Sequence, residues 1–319
     1  MLASEGPTEI IGQQGTYVVC GSMGRKSRFG GIMLATDKTT GKKVSIKRID
    51  RPTDEHRVLL GRLQRTVVNG VSQILDIVEI QNSLYIVREF VEGTDLKTIF
   101  TDKKTYGRID ENRWLDVGRS VLRILSAVHS LGIVHRDIKP SNIVLRHTSE
   151  ADVTKADYSD VVLIDFEQCS AFPPEEGSLH TSFALIYSPP EMVLKRNELV
   201  GPQADLFSLA ITIYHLVMGK TPYTDCNPEV LINLQLTYPM KKPARMTQAL
   251  FDVLSRAAYK QSFRLPPRRL SDEEIVLTLR RGIGGRYSSA DEMLYDLCKV
   301  ESALLPASWW QKAFGISKQ

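Results

Sequence analysis

The sequence predicts an α+β chain, and three observations predict it. The first ninety residues hold short apolar runs broken by glycine-bearing turns, which is the patterning of strands. Beyond them, Trp114, Val117, Val121, Ile124, Leu125 and Val128 recur at helical spacing, and residues 205–219 read as a helix apolar on nearly every face, hence buried. Between these helices stands the octapeptide His135-Arg136-Asp137-Ile138-Lys139-Pro140-Ser141-Asn142, after a helix and before an apolar strand. At 319 residues the chain can bury a large core.

Taken in order, residues 17–20 and 32–36 are strand candidates flanking a turn that contains Gly21, Gly24, Gly30 and Gly31. Glycines there let backbone amides approach phosphate oxygens with no side chain in the way. Thr40-Gly41 marks a hairpin turn into a third strand at 43–48. Thr53 is placed to cap a helix carrying Glu55 and the apolar stripe behind it. Asp110 sits where the N-cap of the 114–128 helix belongs, and residues 161–164 form a buried strand ending in Asp165 and Phe166. Residues 147–160, with four acids, read as a solvated surface insertion.

The octapeptide carries chemistry. It places an acid, a lysine and an amide within six positions on one loop, which can aim all three into a single cleft. Asp137 can accept a proton from a hydroxyl, Lys139 can balance charge on a transferring phosphoryl, and Asn142 can hold a metal ion. A solvated charged turn explains any one of these residues but not the combination.

Bulk properties exclude more than they assign. A net charge of +4 (41 Lys and Arg against 37 Asp and Glu) implies no nucleic-acid footprint. Cys20, Cys169, Cys226 and Cys298 have no paired spacing and read as reduced thiols. No apolar run approaches the roughly 20 residues of a membrane span, and the N-terminus lacks a secretory pattern. The expectation is a soluble, cytoplasmic protein, the nucleus not excluded, with no internal repeat or linker separating a second domain.

Residues 135–142 resemble the catalytic loop of eukaryotic-type protein kinases, and lysine two residues after the aspartate is the variant associated with serine/threonine substrates. His129 and Gly132 close the preceding helix as that family does. Phe29-Gly30-Gly31-Ile32 resembles the end of the family's glycine-rich loop, although Arg25 and Ser27 stand where its first two glycines are expected; Gly21 and Gly24 serve instead if the loop is longer. Val44-Ser45-Ile46-Lys47 resembles the strand whose lysine contacts the α- and β-phosphates. Residues 84–96 resemble the hinge, which implies that backbone groups of Glu89 and Val91 bond adenine, that Asp95 reaches the ribose, and that Ile32 and Val144 sandwich the base. Asp165-Phe166-Glu167 resembles the metal-binding Asp-Phe-Gly, and Tyr187-Ser-Pro-Pro-Glu191 the Tyr-x-Ala-Pro-Glu that ends the activation segment. Glu191 is expected to pair with Arg286, and Asp205, on a helix resembling the family's Asp-x-Trp-Ser-Leu-Gly with Phe207 for the tryptophan, to cap the catalytic loop.

The resemblance spans roughly residues 16–300 and implies a two-lobed protein-kinase-like fold, α+β, with a small antiparallel β-sheet lobe at 16–90 and a larger α-helical lobe at 91–304. An N-terminal extension (1–15) and a C-terminal tail (305–319), whose Trp309 and Trp310 are expected to pack on the helical lobe, flank it. It implies ATP and Mg2+ as cofactors and a protein substrate. Asp137 and Lys139 act in catalysis with Lys47, and Asn142 and Asp165 hold metal.

Four departures run against the pattern. Arg88 falls at the gatekeeper position, where a buried guanidinium needs a partner such as Glu55 or Asp165. Glu167 replaces a glycine. Ala184 stands where a threonine helps place the catalytic aspartate. Glu55, the candidate partner of Lys47, follows it by only eight positions, so either its helix has lost its first turns or Glu55 is a plain surface acid. The alternative class is therefore a pseudokinase, a nucleotide-binding or scaffolding module; a small-molecule phosphotransferase is a second alternative. Ser178, Thr181 and Ser182 are candidate phosphorylation sites that Arg136 is placed to receive, or ordinary loop hydroxyls. Residues 262–285 read as a basic insertion, either a docking face or a solvated one.

Overall fold

The computed structural model of the protein describes residues 8–27, 30–148, 152–174 and 184–305, with side chains described for these apart from residues 22–31. The small lobe is a six-stranded antiparallel sheet of β1 (Glu9–Ile11), β2 (Thr16–Ser27), β3 (Gly30–Asp37), β4 (Lys43–Asp50), β5 (Ile74–Ile80) and β6 (Ser83–Glu89), in the order β1-β2-β3-β4-β6-β5. A single helix, α1 (Asp54–Arg65), joins β4 to β5. Period-two alternation gives the sheet two apolar faces. Ile10, Tyr17, Ala35, Val44, Ile46, Val78, Tyr85 and Val87 form one cluster, while Ile49, Ile74, Leu84 and Ile86 meet Leu59, Leu60 and Leu63 of α1 in the main core. Each Val, Leu or Ile among them contributes about 1.5–3 kcal/mol when fully buried.

The large lobe follows with β7 (Gly93–Asp95), α2 (Leu96–Thr101), α3 (Lys103–Tyr106) and α4 (Arg113–Ser130). Short strands β8 (Ile133–Val134), β9 (Ile143–Arg146), β10 (Val161–Leu163) and β11 (Ser170–Ala171) frame the loops. They pair as β10-β9-β7 and β11-β8. Helices α5 (Pro190–Val193), α6 (Pro202–Met218), α7 (Pro228–Thr237), α8 (Gln248–Ala257), α9 (Asp272–Gly284) and α10 (Ala290–Cys298) complete it. The α4 stripe, from Trp114 to Val128, is buried against α6 and α10. Gly118 leaves room for α6, since a Cβ there would stand 2.6 Å from Ile213 Cδ1. Gly132 takes φ +69°, turning the chain from α4 into β8 and so aiming the octapeptide at the cleft. Among the described residues no helix is long and apolar enough to cross a membrane.

The two-lobed α+β architecture matches the expectation; several local readings need correction. The glycine-bearing stretch is not a loose turn over residues 21–27, because β2 runs through it to Ser27, opposite Gly30, with irregularities after Val19 and after Met23. Phe29, Ser178, Thr181, Ser182, Trp309 and Trp310 lie outside the described residues. The sheet begins before residue 16, since β1 pairs with β2 and its Ile10 is fully buried. Asp110 is not the cap of α4: the N-cap is Asn112, and Asp110, two residues earlier, accepts the Asn112 N–H at 2.8 Å. The 147–160 stretch is not wholly solvated, because Tyr158 is buried edge-on to Trp114 at 5.3 Å between ring centres. Within the basic stretch 262–285, residues 272–284 form the regular helix α9, capped by Ser271 and Glu274, which leaves the reading of that stretch as an exposed basic face standing.

Candidate active site

The octapeptide is held from below by one buried acid. Asp205 of α6 accepts the N–H groups of His135 (2.8 Å) and Arg136 (2.7 Å) and meets His129 Nε2 at 2.9 Å. Burial pushes its carboxyl toward protonation, but these partners outweigh burial and hold it below the usual range. Arg136 adopts φ +67° and is buried, with Nη2 on Asn197 Oδ1 at 2.9 Å and Nη1 3.5 Å from Ser170 Oγ. Desolvation lowers its pKa to about 10. The guanidinium expected to receive a phosphate is thus already engaged by neutral groups.

Above this anchor the loop brings three predicted residues together. Lys139 Nζ lies 2.6 Å from Asp137 Oδ2, and Asn142 Nδ2 donates to the same oxygen (2.9 Å) and to the Asp137 carbonyl (2.8 Å). Asp137 Oδ2 is therefore fixed, while Oδ1 is buried with no hydrogen-bond partner among the described residues. A buried acceptor without a donor demands an explanation in chemistry or a missing ligand. Asp165 Oδ1 is another such oxygen at the same site.

Pairing of Ile143 with Leu163 sets the ends of β9 and β10 side by side, so that Asn142 and Asp165 emerge together; Ile164 N–H donates to the Asn142 carbonyl at 3.0 Å. Asp165 takes φ +67° and Phe166 packs on His135 with ring centres 4.4 Å apart. Burial pushes the Asp165 carboxyl up, yet Arg88 and Lys47 more than reverse this and keep it ionised. Among the described residues no three His, Cys, Asp or Glu side chains gather as metal ligands. A carboxylate with a free oxygen beside an amide oxygen fits magnesium, which keeps waters and phosphate oxygens in the rest of its shell.

Lys47 reaches this centre from β4. Its Nζ stands 2.9 Å from Glu167 Oε2 and 3.7 Å from Asp165 Oδ2. Glu55 is not its partner. Thr53 starts α1 through a capping box with His56, so Glu55 lies on the first turn and its Oε1 accepts the Ala171 N–H at 2.8 Å. Arg88, buried on β6, has Asp165 and Glu167 as its opposing charges, and its Nε has no partner among the described residues. Sequence reasoning had proposed Asp165 but missed Glu167, which no spacing rule connects to Lys47.

A cavity of about 350 Å³ opens in front of Arg88, lined by Ile32, Ser45, Ser72, Glu89, Phe90, Val91, Gly93, Asp95, Ser141, Val144 and Ile164. Ile32, Glu89, Val91, Asp95 and Val144 thus converge as expected, an apolar slot of the size that takes a planar ligand. Asp95 already caps α2, accepting from Thr98 N (3.0 Å) and Thr98 Oγ1 (2.6 Å). Ser72 joins the lining unforeseen, and its hydroxyl donates to the Glu89 carbonyl at 3.0 Å. Gly21, Gly24 and Gly30 sit on the β2–β3 hairpin arms, and of the three only Gly21 lies among the residues whose surroundings are described; it is not among the lining residues. Arg286 and Glu191 form a bidentate pair at 2.5 and 3.0 Å, both side chains only 1% exposed.

A model of the protein kinase domain family matches residues 17–275. The chain is 26% identical over 245 residues to 3-phosphoinositide-dependent protein kinase 1 of Arabidopsis thaliana, covering 74% of this chain and 48% of that one. It is 26% identical over 268 residues to an SNF-related serine/threonine-protein kinase of Rattus norvegicus, covering 82% and 34%. It is 30% identical over 220 residues to serine/threonine-protein kinase PAK 4 of Homo sapiens, covering 67% and 32%. The aligned part spans less than half the length of each of these relatives.

Proposed function

The chain belongs to the protein kinase family, and on that premise we propose that it transfers the γ-phosphoryl of ATP to a serine or threonine hydroxyl of a protein, with magnesium. The carrying observation is Asp137, whose Oδ2 is locked by Lys139 and Asn142 while Oδ1 has no partner among the described residues. In this reading Oδ1 orients the substrate hydroxyl and accepts its proton, and Lys139 offsets charge on the transferring group. Lys47 engages the α- and β-phosphates, while Asp165 Oδ1 and the Asn142 amide oxygen would hold the metal. Magnesium, when bound, supplies charge neutralisation across the β- and γ-phosphate oxygens. Little covalent chemistry falls to the protein, so most of the rate comes from positioning and electrostatics.

The adenine would lie in the slot between Ile32 and Val144 with Glu89 and Val91 at its edge. The protein substrate would meet the large lobe, where Arg264, Arg268, Arg269, Arg280 and Arg281 are exposed and would serve as a basic docking face. The cytoplasm, or the nucleus, would be its place of action.

Radiolabelled phosphate transfer with magnesium, to a generic protein and to the chain itself, tests the proposal. Transfer lost in both Asp137→Asn and Lys47→Met supports it, and phosphoamino-acid analysis separates serine and threonine from tyrosine. One observation favours a second reading, a nucleotide-binding scaffold: Glu167 adds a carboxylate against Lys47 and Asp165. Nucleotide binding without transfer selects that reading.

A further inference from the structure

Two departures from the family pattern meet at the back of the cleft. Arg88 stands where an apolar or small residue is usual, and Glu167 where glycine is usual. Arg88 is only 6% exposed and lines one small cavity together with Lys47, Asp165 and Glu167, whose two carboxylates are the charges that act against its desolvation. The same Glu167 carboxylate lies closer to Lys47 Nζ than Asp165 does, 2.9 against 3.7 Å. Its backbone is tied as well, because His56 Nε2 of α1 lies 3.1 Å from the Glu167 carbonyl.

The reason lies in the length of the β4–α1 connection. With eight positions between Lys47 and Glu55, the helix acid sits on the first turn and is turned to the Ala171 N–H. Lys47 would lack its orienting carboxylate unless another element supplied one. Placing that carboxylate next to Asp165 crowds two like charges in a buried site, which is unfavourable unless a cation offsets it. Arg88 supplies the cation. Lys47 and Arg88 balance Asp165 and Glu167, whereas loss of either Arg88 or Glu167 alone leaves one buried charge uncompensated.

We propose that Glu167 is the positioning residue for Lys47, in place of the helix glutamate, and that Arg88 is the counter-charge that lets it stand there. The inference rests on the reading that Lys47 engages nucleotide phosphates. An orienting charge-assisted bond of this kind carries about a ten- to hundredfold effect on nucleotide affinity.

The test uses the full chain with magnesium and ATP, followed by titration calorimetry and by urea unfolding. Glu167→Gln is expected to weaken nucleotide binding about tenfold or more, and to add nothing further in a Lys47→Met background. Arg88→Met and Glu167→Gln are each expected to lower stability, and the double variant, again charge-balanced, to lose less than the sum. Wild-type affinity in Glu167→Gln, multiplying effects of Lys47→Met and Glu167→Gln, or additive stability losses for Arg88 and Glu167 overturns the inference. Should Glu167→Gln not fold alone, the balanced double variant carries the measurement, and its failure to fold also overturns the compensation. Nucleotide binding without phosphate transfer sinks the proposed activity but leaves the Lys47–Glu167 coupling standing if the cycle shows it. A wild type that binds no nucleotide refutes both.

Discussion

Two buried charge clusters in this molecule are built on opposite principles. In the helical lobe Glu191 and Arg286 meet fork to fork, both side chains 1% exposed, with Arg286 Nε also donating to the Tyr259 carbonyl at 2.9 Å. Its guanidinium lies 4.9 Å from the centre of the Phe207 ring. Every strong group there has a partner, so the cluster fixes the end of the activation segment. At the cleft, Lys47, Arg88, Asp165 and Glu167 balance in charge but not in hydrogen bonds: Arg88 Nε and Asp165 Oδ1 stay open among the described residues, as does Asp137 Oδ1 nearby. Fully satisfied ion pairs hold a fold; balanced but unsatisfied ones are poised for a ligand.

The sharpest break of that comparison is Asp137→Asn. It should lower phosphate transfer by about 10²- to 10⁴-fold, the range of a general base, while the urea midpoint moves little. A transfer rate within a few-fold of wild type would remove Asp137 from the chemistry. Arg286→Leu should do the reverse. Leaving Glu191 buried and unpaired costs about 3–5 kcal/mol of stability, with nucleotide affinity of the folded fraction unchanged. Unfolding and calorimetry on one preparation separate the two.

Lys260 gives a smaller, pH-dependent test of the helical-lobe cluster. It is 8% exposed, donates to the Gln235 carbonyl, and lies 4.2 Å from the centre of the Tyr223 ring. Burial, with Arg286 adding repulsion, brings its pKa down from 10.5 to about 7. Between those values the unfolded chain binds the extra proton. Stability should therefore rise with pH from about 7 towards 10.5, by about 1 kcal/mol per pH unit at most. Below pH 7 the full penalty remains. Lys260→Met should flatten that slope in urea titrations, and a slope that survives it would belong to another group. Smallest is Thr53→Ala, which removes the cap of α1, including the His56 N–H acceptor at 3.2 Å, and should cost about 1 kcal/mol. Because His56 also bonds Glu167, nucleotide affinity should soften with it.

Legibility in the sequence followed the range of the interactions. The octapeptide could be read because Asp137, Lys139 and Asn142 lie within six positions and one loop closes all their bonds. The cleft lining by Ile32 of one sheet and Val144 of another was legible only through resemblance. Glu191–Arg286 was legible only through resemblance, being 95 positions apart. Asp110 and Asn112 were confused because both side chains suit a cap, and the backbone chose the later one. Strand β1 escaped notice because three residues carry too little periodicity to signal a strand.

By itself, then, the sequence determined most of the elements, the resemblance to a family and the identity of the chemical groups, since periodicity and short loops are local properties. Only the tertiary structure decided who meets whom at the back of the cleft. Glu55 and Glu167 are equally plausible partners for Lys47 on composition alone. The early start of α1 turns the first toward Ala171 and leaves the second at 2.9 Å. Charge compensation acts through space, and a chain position carries no mark of it.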